Sequence, residues 1–119
     1  MALFIKEPQT GATVKSPVKV CMEVLGVELE PATNGVNPGK GHHHIIIDMP
    51  LPSIVEPREG DLMPKITSDD NHIHLSDGAP CGVIRLDPGP HIIRGLFSKG
   101  NHIPFNPILA DTIIITVVE

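Results

Sequence analysis

Histidine is the residue type in this chain best placed to do chemistry, and its distribution is uneven. Three in a row open the stretch Gly41-His42-His43-His44-Ile45-Ile46-Ile47-Asp48. A second group, Asn71-His72-Ile73-His74-Leu75, follows about thirty residues later, and His91 and His102 stand alone beyond it. Neutral imidazole is a good ligand for copper and zinc, and a His-x-His pair on a strand supplies two nitrogens from one face. Side chains at i and i+2 of a strand point the same way. His42 and His44 therefore share a face with Ile46 and Asp48, while His43 lies with Ile45 and Ile47. His72 and His74 share a face opposite Ile73 and Leu75. The aliphatic residues mark the core side, so each His-x-His pair points away from it, and His43 reads as a core or supporting residue.

If the two strands are neighbours in one sheet, directly opposed side chains lie ~5 Å apart at Cβ. Four imidazoles can then surround one ion. His91 follows Pro90 and His102 follows Asn101, so both enter from turns and can complete the site or orient its ligands. Asp48, Asp69, Asp70 and Asp77 are candidates to accept the second N–H of a ligating imidazole. The metal set expected from the sequence is thus His42, His44, His72, His74, His91 and His102, holding copper or zinc. The contrasting expectation is an interaction or structural module whose histidines hydrogen-bond one another and nearby carbonyls.

The elements that must position these residues are short strands. Thirteen prolines and eleven glycines interrupt the chain too often for long helices. Strands are expected at Leu3–Lys6, Val18–Leu25, Gly41–Met49, His72–Ser76, Val83–Leu86, His91–Phe97 and Thr112–Val118, with His102–Asn106 extended or looped. In the second of these, Val18, Val20, Met22 and Val24 alternate with Lys19, Cys21 and Glu23, as in a half-buried antiparallel strand. Leu3–Lys6 reads as an edge and the β-branched Thr112–Val118 as central. Either is a candidate edge for a homodimer. The segment Pro50–Asp70 is the longest irregular stretch, and loops of that length are often functional. About seven or eight strands at regular turn spacing indicate an all-β fold, an immunoglobulin-like antiparallel β-sandwich, with a closed small barrel as alternative.

At 119 residues the chain is expected to form one domain, residues 1–119. A net charge of −5 without a Lys/Arg cluster argues against nucleic acid and anionic membrane as partners. Trp and Tyr are absent and Phe occurs three times, which disfavours sugar-binding and base-stacking surfaces. The N-terminal stretch Met1–Lys6 lacks a signal-peptide pattern, so the expected compartment is the cytoplasm, or the periplasm if an export signal has been trimmed. Cys21 and Cys81 do not form a Cys-x-x-Cys pair, which excludes a zinc ribbon. Cys21 falls in an apolar strand, where a buried free thiol is the common outcome and a disulfide with Cys81 the alternative. Ser76 and Ser98 lack a nucleophile-elbow pattern, and no Gly-rich phosphate loop precedes a helix. Metal binding, delivery or storage is favoured over catalysis, which would require an open coordination position.

Two resemblances bear on this reading. His72-Ile73-His74, then Cys81 and Gly89-Pro90-His91, resembles in fragments the metal run of copper–zinc superoxide dismutases. The spacing to the third histidine differs and the required aspartate and last histidine are missing, so dismutation is discounted. More extensively, Pro8-x-x-Gly11-Ala12-x-Val14-x-Ser16-Pro17, Gly41–Asp48, Asn71–Leu75, Leu86-x-Pro88-Gly89-x-His91 and Asn101-His102-x-Pro104 occur in order. Together they resemble an uncharacterised family of small bacterial all-β domains, whose members are usually extracytoplasmic. That resemblance implies that the six candidate histidines belong together and brings no established activity.

Overall fold

A computed structural model describes residues 2–50, 71–75, 77–101, 103, 105 and 108–119. His102, Asp69, Asp70, Ser76 and nearly all of the Pro50–Asp70 segment lie outside the described residues.

Nine strands occur among the described residues: β1 (Ala2–Glu7), β2 (Thr13–Lys15), β3 (Val18–Leu25), β4 (Glu28–Leu29), β5 (Lys40–Ile47), β6 (His72–His74), β7 (Cys81–Ile84), β8 (Gly89–Ser98) and β9 (Ala110–Val118). They form a three-stranded sheet in the order β1-β3-β7 and a six-stranded sheet in the order β2-β9-β8-β5-β4, with β6 also paired to β5. The chain passes from the first sheet to the second at the cis peptide Glu7–Pro8, after which β2 runs parallel to β9. Two separate sheets facing each other make a sandwich, not a closed barrel. The pairings are antiparallel apart from β2 with β9 and β4 with β5.

Period-two patterning builds the core. Leu3 and Ile5, Val18, Val20 and Met22, and Ile84 from the small sheet meet Ile45, Ile47, Ile93, Phe97, Ile113, Ile115 and Val117 from the large one. The intervening Lys19 and Glu23 are exposed, as alternation requires. The sheets approach closely at Gly95, where a Cβ would sit 2.7 Å from Met22 Sδ and 3.1 Å from Leu3 Cδ2. Substitution of Gly95 by Ala is expected to cost about 1–3 kcal/mol through overpacking. A lowered urea midpoint at unchanged m would register it, and an unchanged midpoint would show that Met22 yields freely.

Four details differ from the sequence expectation. β2 and β4 were not anticipated, because two or three residues carry no readable period. The His72 strand ends at His74 and the seventh strand begins at Cys81, two residues earlier than expected. β9 is central rather than an edge: among the described residues it lies between β2 and β8. β2 pairs with Thr116–Val118, and Gly11 N–H donates to the Ile114 carbonyl above it. β1 is an edge, and its Ile5 N–H is capped by Asp111 Oδ2 at 2.9 Å, which blunts strand addition there.

The fourth difference is at the cysteines. Cys21 is not a free thiol: Cys21 and Cys81 form a disulfide between β3 and β7, with Cα atoms 4.1 Å apart. They are directly opposed in the register. Met22 N–H donates to the Pro80 carbonyl, so the hydrogen-bonded position lies one residue away. Cys21–Cys81 is therefore the narrow, non-hydrogen-bonded pair, where opposing side chains come closest. Cys21 points away from the apolar face of β3, which is why burial of a free thiol does not occur.

Candidate functional site

β5 is the strand on which the site is built. Apart from Lys40 it is buried along its whole length and on both faces. Its odd residues His43, Ile45 and Ile47 face the core between the sheets. The even face, with His42, His44 and Ile46, is covered as well. Ile46 and Leu96 form a second apolar cluster there, with Ile108 and Ala110 packed on it. His42, His43 and His44 are all 0% exposed.

β6 is the neighbour of β5, as the two-strand expectation requires, and its register decides which imidazoles meet. His44 lies opposite His74, and Ile46 opposite His72. Leu75 N–H donates to the His43 carbonyl and Ile47 N–H to the Asn71 carbonyl. The positions between, 44/74 and 46/72, are thus the non-hydrogen-bonded pairs with the closer side chains. The His44 and His74 ring centroids are 4.3 Å apart and those of His42 and His44 4.8 Å. Three imidazoles form a row with His44 at its centre. Because β5 and β6 are antiparallel, His72 falls at the far end, opposite Ile46 rather than beside His42.

On the other side of β5, β8 places Ser98 opposite His42. A Cβ at Gly41 would collide with the Ser98 carbonyl oxygen, so only glycine lets the strands meet there. Ser98 is fully buried, with Oγ 2.5 Å from His44 Nε2 and 3.0 Å from the Lys99 carbonyl. The single hydroxyl proton goes to the carbonyl, which can only accept. His44 Nε2–H therefore donates to Ser98 Oγ, and the Nδ1 atom of His44 carries the ring lone pair. In the sequence Ser98 presents itself only as a possible nucleophile; its role as an orienter of His44 depends on the β5–β8 pairing, which no local motif reveals.

His43 stands apart chemically. Its ring packs edge-on against Phe97 at 5.4 Å. Among the described residues neither of its nitrogens has a hydrogen-bond partner. Burial, with the neighbouring His42 adding a smaller effect, lowers its pKa to about 4.

His91 is not part of the imidazole row. It lies on β8 opposite Ile115, five residues along the strand from Leu96, which sits beside His44. Its Nδ1–H donates to Asp48 Oδ2 at 2.6 Å and its Nε2–H to the Asp87 carbonyl at 2.7 Å. Both nitrogens are donors, which describes an imidazolium and leaves no lone pair for a metal. The hydrogen bond to Asp48 raises the His91 pKa, outweighing its partial burial. At Asp48, burial works against ionisation, but the His91 and Ile92 hydrogen bonds outweigh it and the pKa is lowered. Asp48 thus serves His91 and not the ligand candidates, while Asp77 Oδ1 accepts the Ala79 N–H within a turn. Among the described residues no group of three or more His, Cys, Asp or Glu side chains is arranged to hold an ion as it stands. An open cleft of about 400 Å³ between Gly26–Glu28 and Pro38–Lys40 contains no imidazole.

The fold and the row together define a class: a two-sheet immunoglobulin-like sandwich with a line of histidines on its large sheet, buried at His42 and His44 and half-buried at His74. The chain belongs to the DUF4399 family, a domain of unknown function, whose family model matches residues 20–118. That span includes every histidine of the row. No curated protein and no solved structure matches the chain. Among the described residues no helix is long and apolar enough to cross a membrane.

Proposed function

We propose that the protein binds one copper or zinc ion through His42, His44 and His74, with His72 at the rim, and serves in metal delivery or storage. The observation that carries this reading is the row of three imidazoles from two adjacent strands, with centroids 4.8 and 4.3 Å apart. Three nitrogen donors suit zinc and copper(II). The Ser98 hydroxyl supports the reading further. By taking the Nε2–H of His44 it holds the tautomer whose Nδ1 can ligate, the part that outer hydrogen bonds play at metal sites. Since no ion-ready arrangement exists among the described residues, uptake requires the rings to turn about their side-chain torsions. His91 is not a ligand in this reading. The Cys21–Cys81 disulfide supports an oxidising, periplasmic setting over a cytoplasmic one.

The test is metal content by mass spectrometry on untagged protein purified without chelator or nickel resin. About one equivalent of copper or zinc is expected, lost in the His44→Ala/His74→Ala variant while the β-sheet circular dichroism is kept. Ser98→Ala is expected to weaken binding roughly 10–100-fold. Protein that is isolated empty and takes up neither ion at micromolar concentration would overturn the reading.

The complete burial of His42 and His44 and the His44–Ser98–Lys99 chain favour a second reading, in which the imidazoles are a structural network of an interaction module. The same double variant separates the two. A structural network predicts lost stability and unchanged metal content.

A further inference from the structure

We infer that Asp48, His91 and the Asp87 carbonyl form a protonation-dependent latch that holds the end of β5 against the start of β8 and releases it as the pH rises. Asp48 is the residue at which β5 stops. Its φ of 56° makes it the single described non-glycine residue in the left-handed region, where aspartate is tolerated better than most. Its bonds hold it there. Its own N–H donates to the Ile92 carbonyl at 2.8 Å. Its Oδ1 accepts the Ile92 N–H at 2.7 Å, and its Oδ2 accepts His91 Nδ1–H at 2.6 Å. His91 then reaches the turn before β8 through the Asp87 carbonyl. One imidazolium thereby ties together the end of β5, the start of β8 and the turn between β7 and β8.

A neutral imidazole has one N–H, so it cannot serve both oxygens. Loss of the proton turns a lone pair toward either the Asp48 carboxylate or the Asp87 carbonyl, and that arm of the latch opens. The charged groups that act on His91 are Asp48 from β5 and Asp87 from the turn. Ile115 faces it from β9, and Arg94 on its own strand is engaged with the Met49 carbonyl and Thr112 Oγ1. The raised His91 pKa and the lowered Asp48 pKa are the expected signs of this mutual support. The latch is closed between those two values. It opens above the first, as His91 loses its proton, and below the second, as Asp48 gains one. The His91 side chain is 14% exposed, which gives the proton a route to solvent.

The inference does not rest on metal binding. Its test is NMR of the ¹⁵N-labelled full chain between pH 5 and 9, reading the His91 ring nitrogens and the exchange of the Asp48 and Ile92 amides. His91 is expected to titrate above 6.5. As it does so, the two amides should lose at least tenfold protection beyond the intrinsic base-catalysed increase, while mid-strand Ile45 and Ile93 keep theirs. In Asp48→Asn, which retains an acceptor for Ile92 N–H, the His91 titration and the exchange step should move down together. In His91→Asn the step should vanish and the amides exchange fast throughout. Titration of His91 with no change at Asp48 and Ile92, or a step that survives in His91→Asn, would overturn the latch.

Discussion

Replacing Cys21 and Cys81 together by alanine is expected to lower the unfolding free energy by about 4 kcal/mol, the value the chain-entropy relation assigns to a loop of this length. The bridge joins residues 60 apart in sequence, so its loss frees half the chain in the unfolded ensemble. The native state has little to replace it with locally. β7 is the outer strand of the small sheet and meets β3 over four register pairs, Val18–Ile84 to Cys21–Cys81. For a domain whose total stability is of the order of 5–15 kcal/mol, the change is large. Urea unfolding of the double-alanine variant beside the wild type, with and without reductant, measures it. A difference below about 1 kcal/mol would mean that the unfolded chain already holds these strands together, or that the native state gains on release.

The second large effect lies at His43. With its pKa lowered to about 4, it is neutral in the folded protein where it would be charged in the unfolded one. The sign follows directly. As pH falls below ~6.5 the unfolded state takes up a proton that the folded state refuses, so stability declines until about pH 4 and then levels off. The separation of the two values corresponds to a loss of about 3 kcal/mol. Because neither ring nitrogen has a partner among the described residues, His43→Leu removes a desolvation penalty as well as the titration. At pH 7 it is expected to stabilise the protein by about 1–3 kcal/mol. Unfolding free energies of wild type and His43→Leu at pH 4, 5.5 and 7 test both parts. The gap between them should widen on acidification, which sets His43 apart from Asp48, common to both proteins. A variant that is destabilised, or a gap constant with pH, would show that His43 gains something from its surroundings that outweighs its burial.

Much of the frame is legible in the sequence alone. The alternation Val18–Val20–Met22 against Lys19–Glu23 marks a one-sided strand and is found as such. The parity split of the His42–Ile47 run is also found. His43 sits with Ile45 and Ile47, and His42 and His44 with Ile46. What parity could not say is that the second face of β5 is covered too. Polar residues at one parity suggest an outward face, whereas Ile46, Leu96, Ile108 and Ala110 close over it. The short β2 and β4 strands were invisible because pairing partners, not their own residues, make them strands.

The candidate site shows the same division. Residue types and spacing alone determined that imidazoles would alternate on two strands, because a strand's period of two is a local property of the chain. Register is not local. It places His74 against His44, sends His72 to Ile46, and gives Ser98 to His44. It also brings Asp48 and Asp87 to His91, which removes that histidine from the row, and sets Cys21 opposite Cys81. Apart from Asp87, which lies only four residues before His91, the partners are separated by many residues, and only the packing of two sheets against a shared core selects one alignment of the strands. A shift of one residue would exchange the two faces of β5, taking Ile45 and Ile47 off the core between the sheets and putting His42, His44 and Ile46 into it. Tertiary burial thus decides which of the chemically capable residues meet.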